Sequence, residues 1–156
     1  MNVAIYSRGV DLDQQQSLND LIAELHQHGI TIYIYADLIK KFNLSNSVSI
    51  PMIAFESSLD LHNNIDCLIS LGGDGTVLDA ITLVGDTLIP ILGINYGRLG
   101  FLATISKDEL SIMVEALVNR SYVIDKRTLI HLDADFPVFG GTPFALNEFA
   151  IHKRDT

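Results

Sequence analysis

Apolar and polar positions along this chain switch repeatedly between a strand-like and a helix-like period. Asn2 to Ser7 (NVAIYS) predicts a first strand. Leu12 to His28 carries apolar residues at Leu18, Leu21, Ile22 and Leu25, the spacing of one helix face, and Gly29 predicts its C-terminal stop. Ile30 to Tyr35 (ITIYIY) is β-branched and aromatic and predicts a second strand. Asp37 to Phe42 predicts a short helix, while the polar stretch Leu44 to Asn64, with Pro51 inside it, supports no assignment. Ile65 to Leu71 (IDCLISL) predicts a third strand and Val77 to Val84 (VLDAITLV) a helix. Thr87 to Ile94 predicts a fourth strand, in which Pro90 argues for an edge position or a late start. Ser106 to Val118 predicts a helix that opens on the S-x-x-E capping pattern of Ser106 and Glu109. Leu110, Met113, Val114 and Leu117 then share one face.

Strand–helix alternation as far as residue 120 predicts an α/β fold, a Rossmann-like and mostly parallel sheet flanked by helices. Ligands of such sheets bind outside the carboxyl ends of the strands. The pattern then changes. Tyr122 to Ala134 and Pro143 to His152 read as strands, with Gly140-Gly141 and no helix between them. Two such strands bury little alone. The expected organisation is residues 1–120 as an α/β nucleotide-binding domain and 121–156 as the first strands of an incomplete β-rich second domain.

Composition narrows the function classes. A chain of 156 residues, 48% apolar, can bury a sizeable core. Its 10 basic against 19 acidic residues leave a net charge of −9. That argues against nucleic acid and against an anionic membrane surface as partners, but not against a nucleotide, which needs only local donors. Cys67 has no second cysteine to pair with and reads as a small buried residue in a strand. The N-terminus does not read as a signal peptide, and no apolar run is long enough to span a membrane, so a soluble cytoplasmic protein is expected.

Three segments carry candidate chemistry. Gly72-Gly73-Asp74-Gly75-Thr76 joins a strand to a helix N-terminus. Glycines there let the backbone approach a ligand, and the helix N-terminus favours phosphate. An aspartate in such a cradle needs its own role, either taking a proton from a hydroxyl nucleophile or holding a metal ion. The combination suggests phosphoryl transfer to an alcohol. The second segment, Gly93 to Leu102 (GINYGRLGFL), offers Asn95 and Gly97 as nucleotide contacts, with Arg98 either a phosphate partner or a solvated residue of a connecting loop. The third is Asn147-Glu148, two polar residues interrupting an apolar strand, a pairing suited to a sugar diol. There is no P-loop and no G-x-G-x-x-G, and the five histidines show no zinc-ligand spacing.

Together these segments resemble the NAD kinase family. Its members carry G-G-D-G-T, then G-x-N-x-G-x-L-G-F-L, then N-E on a strand, matched here in order by Gly72–Thr76, Gly93–Leu102 and Asn147-Glu148. The second motif separates this family from lipid kinases and phosphofructokinases, which share only the G-G-D-G element. The resemblance implies transfer of a phosphoryl group from ATP or polyphosphate to the adenosine 2′-hydroxyl of NAD, with Mg²⁺ carried by the substrate phosphates. It implies that Asp74 accepts or orients the hydroxyl proton. Gly72, Gly73, Gly75 and Thr76 would face phosphates, with Asn95, Gly97 and Arg98 nearby, and Asn147 and Glu148 would hold the ribose. It also implies a dimer or tetramer. The family's further T-x-x-G-S-T-A-Y motif has no counterpart before Thr156, so this stretch alone is expected to be inactive. A lipid or sugar kinase of the same superfamily, or a non-catalytic nucleotide-binding module, are the alternatives.

Overall fold

The computed structural model describes residues 1–9, 14–44, 49–61, 65–97, 100–136, 143–146, 148–150 and 152. The chain divides into two compact units, Met1–Val123 and Ile124–Thr156.

In the first unit, β1 (Asn2–Tyr6) leads to α1 (Gln15–Gln27), β2 (Thr31–Tyr35) and α2 (Ala36–Phe42). β3 (Met52–Phe55) and a 3₁₀ turn, Ser58–Leu61, come next. β4 (Cys67–Leu71), α3 (Asp74–Val84), β5 (Ile91–Asn95) and β6 (Ile105–Ser106) follow, and a 3₁₀ turn, Lys107–Glu109, enters α4 (Leu110–Val118). The six strands form one sheet in the order β3-β2-β1-β4-β5-β6, with every pair parallel. The order reverses between β1 and β4, so the chain ends leaving those two strands flank a topological switch point.

Period-two alternation along β1 assigns its side chains to two cores. Val3 and Ile5 join Leu18, Leu21, Ile22 and Leu25 of α1 and Met113, Val114 and Leu117 of α4 on one face. Ala4 and Tyr6 join Ala80 and Val84 of α3, with Phe55 and Leu61, on the other. β4 is buried along its whole length, as a central parallel strand covered on both faces must be. Cys67 lies inside it, and burial pushes its thiol up to about 12, which leaves it unreactive.

Most predicted elements are present, with shifted ends. Gly29 stops α1 with φ 70°, and the Ser106–Glu109 capping box is formed, Ser106 Oγ accepting from Asp108 N–H and Glu109 from Ser106 N–H. The unassigned 44–64 stretch contains β3 (MIAF), a four-residue edge strand that starts directly after Pro51. Pro90 precedes β5 rather than interrupting it, and β5 is an inner strand.

In the second unit, β7 (Leu129–His131) pairs antiparallel with β8 (Phe144–Leu146). The long strand expected from Tyr122 is only this short: residues 121–128 have no regular structure and are almost wholly exposed. Gly140-Gly141 lies outside the described residues.

Gly93, in the middle of β5, tests the packing at the sheet's ligand-facing end. An added Cβ would lie 2.8 Å from Ala103 Cα and 2.9 Å from Val77 Cγ2. Gly93→Ala is expected to destabilise the fold by about 1–3 kcal/mol, the usual cost of overpacking, measured by urea denaturation. An unchanged midpoint would refute this packing.

Candidate functional site

The carboxyl end of β4 is the starting point. Gly72 leaves the strand with its N–H donating to the Ile94 carbonyl of β5 at 2.9 Å. Its φ of 150° is open to glycine and rarely to other residues, and a Cβ there would collide with Thr76 Oγ1. The turn itself therefore requires Gly72. The next two glycines differ. Gly73 is extended (φ −96°, ψ −169°), and neither Gly73 nor Gly75 has positive φ. Among the described residues, a Cβ on either meets nothing within 4 Å. The fold has no need of glycine at 73 or 75, and the open space lies at a helix start that no side chain caps. Unfilled space beside free helix N–H groups suits the close approach of an anion.

Asp74 is the first residue of α3, three residues before the helix start that the apolar pattern suggests at Val77. Thr76 N–H and Val77 N–H both donate to the Gly73 carbonyl, at 3.0 and 3.3 Å, so the motif is already helical. Its glycines and polar residues hid that turn from a reading based on hydrophobic period.

The Asp74 carboxylate is the centre of the arrangement. Oδ1 accepts the N–H groups of Leu102 and Ala103, each at 2.9 Å, and Oδ2 accepts that of Phe101 at 2.8 Å. The donors are consecutive and come from the end of the second glycine segment. The amides of Ala103, Phe101 and Leu102 hold the carboxyl below the usual aspartate range, because all three stabilise only its ionised form. Asp74 is ionised at neutral pH and is a weak base.

The second segment is fixed at both ends. Asn95 closes β5, is buried, and its Oδ1 accepts the Gly97 N–H at 2.7 Å. Tyr96 packs against the α1 side of the core; burial, with Asp20 next, pushes its hydroxyl up to about 12, so it stays protonated. Arg98 lies outside the described residues. Phe101, at the far end, projects an exposed ring beside Asp74's partners.

Of the sequence-predicted residues, the structure brings Asp74 against the 101–103 segment and sets Asn95 and Gly97 on the adjacent strand end. Asn147 lies outside the described residues. Glu148 is exposed and follows β8, which ends at Leu146, so it is not within a strand as the apolar run suggested. Its N–H donates to the Leu146 carbonyl at 3.2 Å, a local turn that ends the strand.

Two features escaped the sequence reading. Gly100 gives Asp74 room, since a Cβ there would lie 2.5 Å from Asp74 Cγ. Arg8, just after β1 at the switch point, pairs through Nε with Asp79 Oδ2 of α3 at 2.8 Å and keeps most of its side chain exposed. Neighbouring Ser7 buries a hydroxyl that has no hydrogen-bond partner among the described residues. A basic residue directly after the first strand was the available signal for Arg8. Gly100 had only its place in a glycine-rich loop.

Comparison with known proteins identifies the family and the fold. The sequence model of the family described as the ATP-NAD kinase N-terminal domain matches residues 19–122. A protein named NAD kinase from Cytophaga hutchinsonii is 52% identical over 91 residues, covering 58% of this chain and 31% of that protein. The NAD kinase of Flavobacterium johnsoniae is 32% identical over 158 residues, 100% of this chain and 54% of that protein. That of Bacteroides fragilis is 35% identical over 158 residues, 100% of this chain and 53% of that protein. The chain thus spans about half the length or less of these curated relatives. The crystal structure of yeast NADH kinase complexed with NADH shares the fold, with a TM-score of 0.66 at 22% identity, covering 84% of this chain and 40% of that one.

The glycines should separate by stability. Gly72→Ala is expected to cost about 1–3 kcal/mol through backbone strain, whereas Gly73→Ala should stay within about 0.5 kcal/mol of the parent, both read by urea denaturation. Equal losses would contradict the division. Asp74 also gives the fold a pH dependence. Its folded pKa is depressed, so its contribution is present above the unfolded value of about 3.9 and is lost as pH falls through the folded value. Asp74→Asn should therefore be less stable than the parent at pH 7 and converge with it in acid. A stability gap independent of pH would exclude this linkage.

Proposed function

The chain belongs to the NAD kinase family, in the part described as the ATP-NAD kinase N-terminal domain, and we propose that the protein transfers a phosphoryl group from ATP or polyphosphate to the adenosine 2′-hydroxyl of NAD, giving NADP. One observation carries the reading: an ionised Asp74 stands at an uncapped helix start whose neighbouring glycines leave space that the fold does not use.

Phosphoryl transfer asks a protein for positioning and charge stabilisation more than for covalent chemistry. In this proposal the 72–76 backbone faces phosphates, with Gly73 and Gly75 allowing the closest approach. Asn95 and Gly97 stand at the adjoining strand end, and Arg98 is assigned to a phosphate on the sequence motif. Asp74 accepts a hydrogen bond from the acceptor hydroxyl and takes its proton as the oxygen attacks. A weak base suits a loose transition state, in which little proton transfer precedes bond formation. Asn147 and Glu148 are assigned to the ribose on the sequence motif. Residues 1–120 are then the nucleotide-binding domain and residues 121–156 the start of a β-rich second domain.

Mg²⁺ fits as an ion carried by the donor's phosphates, where it would neutralise their charge. Asp74, already accepting three N–H groups, is suited to at most a single bond to it. We place the protein in the cytoplasm as a homo-oligomer with no membrane or nucleic-acid partner. No helix among the described residues is long and apolar enough to cross a membrane.

Asp74→Asn in the intact protein is expected to lower NAD turnover by roughly 10²- to 10⁴-fold, the usual contribution of a positioned acid–base group. Calorimetric titration with NAD and Mg²⁺ should show binding in both parent and variant. Near-normal turnover in the variant removes Asp74 from the chemistry. A folded parent that neither binds nor phosphorylates NAD rejects the assignment.

A further inference from the structure

We propose that Gly100 and the three amides after it form the positioning device for Asp74, fixing its carboxylate so that a single acceptor site, on Oδ2, remains for the substrate hydroxyl. What the device serves rests on the phosphoryl-transfer reading above; the device itself is read from the contacts.

An aspartate at the first position of a helix can rotate about two side-chain torsions. A base that must meet one hydroxyl needs those rotations stopped. Here the Phe101, Leu102 and Ala103 amides span both carboxylate oxygens, so they fix the plane of the carboxylate as well as its position. An ionised carboxylate offers about four acceptor sites. Oδ1 uses two, on Leu102 and Ala103, and Oδ2 uses one, on Phe101. The remaining one is on Oδ2.

The donors are themselves held. Ala103 is fully buried and packs on β5 over Gly93, and two residues later the chain pairs with β5 through Ile105 and Ser106. The loop is therefore anchored at its Ala103 end to the same sheet that carries α3. Gly100 completes the device by leaving out a side chain. A Cβ there would lie 2.5 Å from Asp74 Cγ and 2.7 Å from Oδ2. Gly100 does not have positive φ, so its backbone would accept alanine. The obstructing atoms are the end of a rotatable side chain, so an alanine would swing the carboxylate away before it distorted the backbone. Gly100 is thus a positioning residue. Its replacement should be cheap for the fold and costly for the geometry at Asp74.

The test compares the parent, Gly100→Ala and Asp74→Asn in the intact protein. Hydrogen exchange at the Phe101, Leu102 and Ala103 amides is read alongside NAD kinetics. In the parent the three amides should be protected, although the Phe101 side chain is exposed. Gly100→Ala should speed the exchange of all three, and Asp74→Asn that of Phe101, whose acceptor it removes, by about tenfold or more, the loss expected for a hydrogen bond to a charged group. In Gly100→Ala the acid limb of the pH–rate profile should move up toward the ordinary aspartate value of about 3.9. Its kcat should fall on the order of 10²-fold, as for a misplacement of about 1 Å, with KM for NAD little changed.

Unprotected amides in the parent overturn the proposal, as does Gly100→Ala with unaltered exchange. Faster exchange with kcat and pH profile unchanged overturns the positioning role and leaves a purely structural clasp. Should Gly100→Ala fail to fold, Asp74→Asn decides through the Phe101 amide, whose acceptor Oδ2 becomes an NH2 donor, and retained protection there refutes the contact. A parent inactive on NAD but showing the exchange pattern rejects the kinase assignment and keeps the device.

Discussion

One carboxylate ties together the two segments on which the ligand end of the sheet depends. Asp74 begins a helix, and its three amide partners lie 27 to 29 residues further along, past a helix and a strand. Without that contact, α3 and the loop entering β6 would be joined at this edge mainly through β5. With it, the start of the helix, the end of β5 and the 100–103 turn form one structure. The glycines nearby follow from it. Gly100 is absent of side chain because Asp74 occupies the space, and Gly93 because Ala103 lies on the strand.

The same contact resolves an electrostatic difficulty. A negative side chain at a phosphate-binding turn should repel its ligand, in a chain whose net charge is already −9. Asp74 meets three N–H dipoles and the positive end of its own helix, which compensate its charge locally. The remaining N–H groups at the helix start have no side-chain cap. An acid and an anion-binding turn can then sit side by side, an arrangement useful for bringing a hydroxyl to a phosphate.

The rest of the first unit acts as a platform. β1 divides its side chains between two cores, so helices on both faces hold the same central strands. The reversal of strand order between β1 and β4 opens the crevice where Arg8 and the glycine turn leave the sheet. Arg8 is bound to α3 through Asp79, which links the chain after β1 to the helix that begins with Asp74. Residues that stabilise the fold are mostly buried on the sheet faces. The described residues of the first unit that are assigned to the ligand lie at the strand ends, where a Cβ at Gly73 or Gly75 meets no described neighbour within 4 Å.

The sequence by itself determined the alternation of strands and helices, because burying one face of each element imposes a period on its apolar residues. It also determined the motifs: glycines beside an acid, and an asparagine at a strand end, are chemically distinctive in any context. It did not reveal β3, only four residues long and set directly after Pro51 in a polar stretch, nor the early start of α3, whose first three residues are not apolar. It overstated the strands after residue 120, since alternating apolar residues there are exposed rather than packed. Only the tertiary structure decided what the glycines are for. A missing Cβ has the same appearance in sequence whether it faces open space among the described residues, as at Gly73 and Gly75, a carboxylate, as at Gly100, or another stretch of backbone, as at Gly93. That distinction depends on which atoms stand opposite, and the folding of distant segments onto one another puts them there.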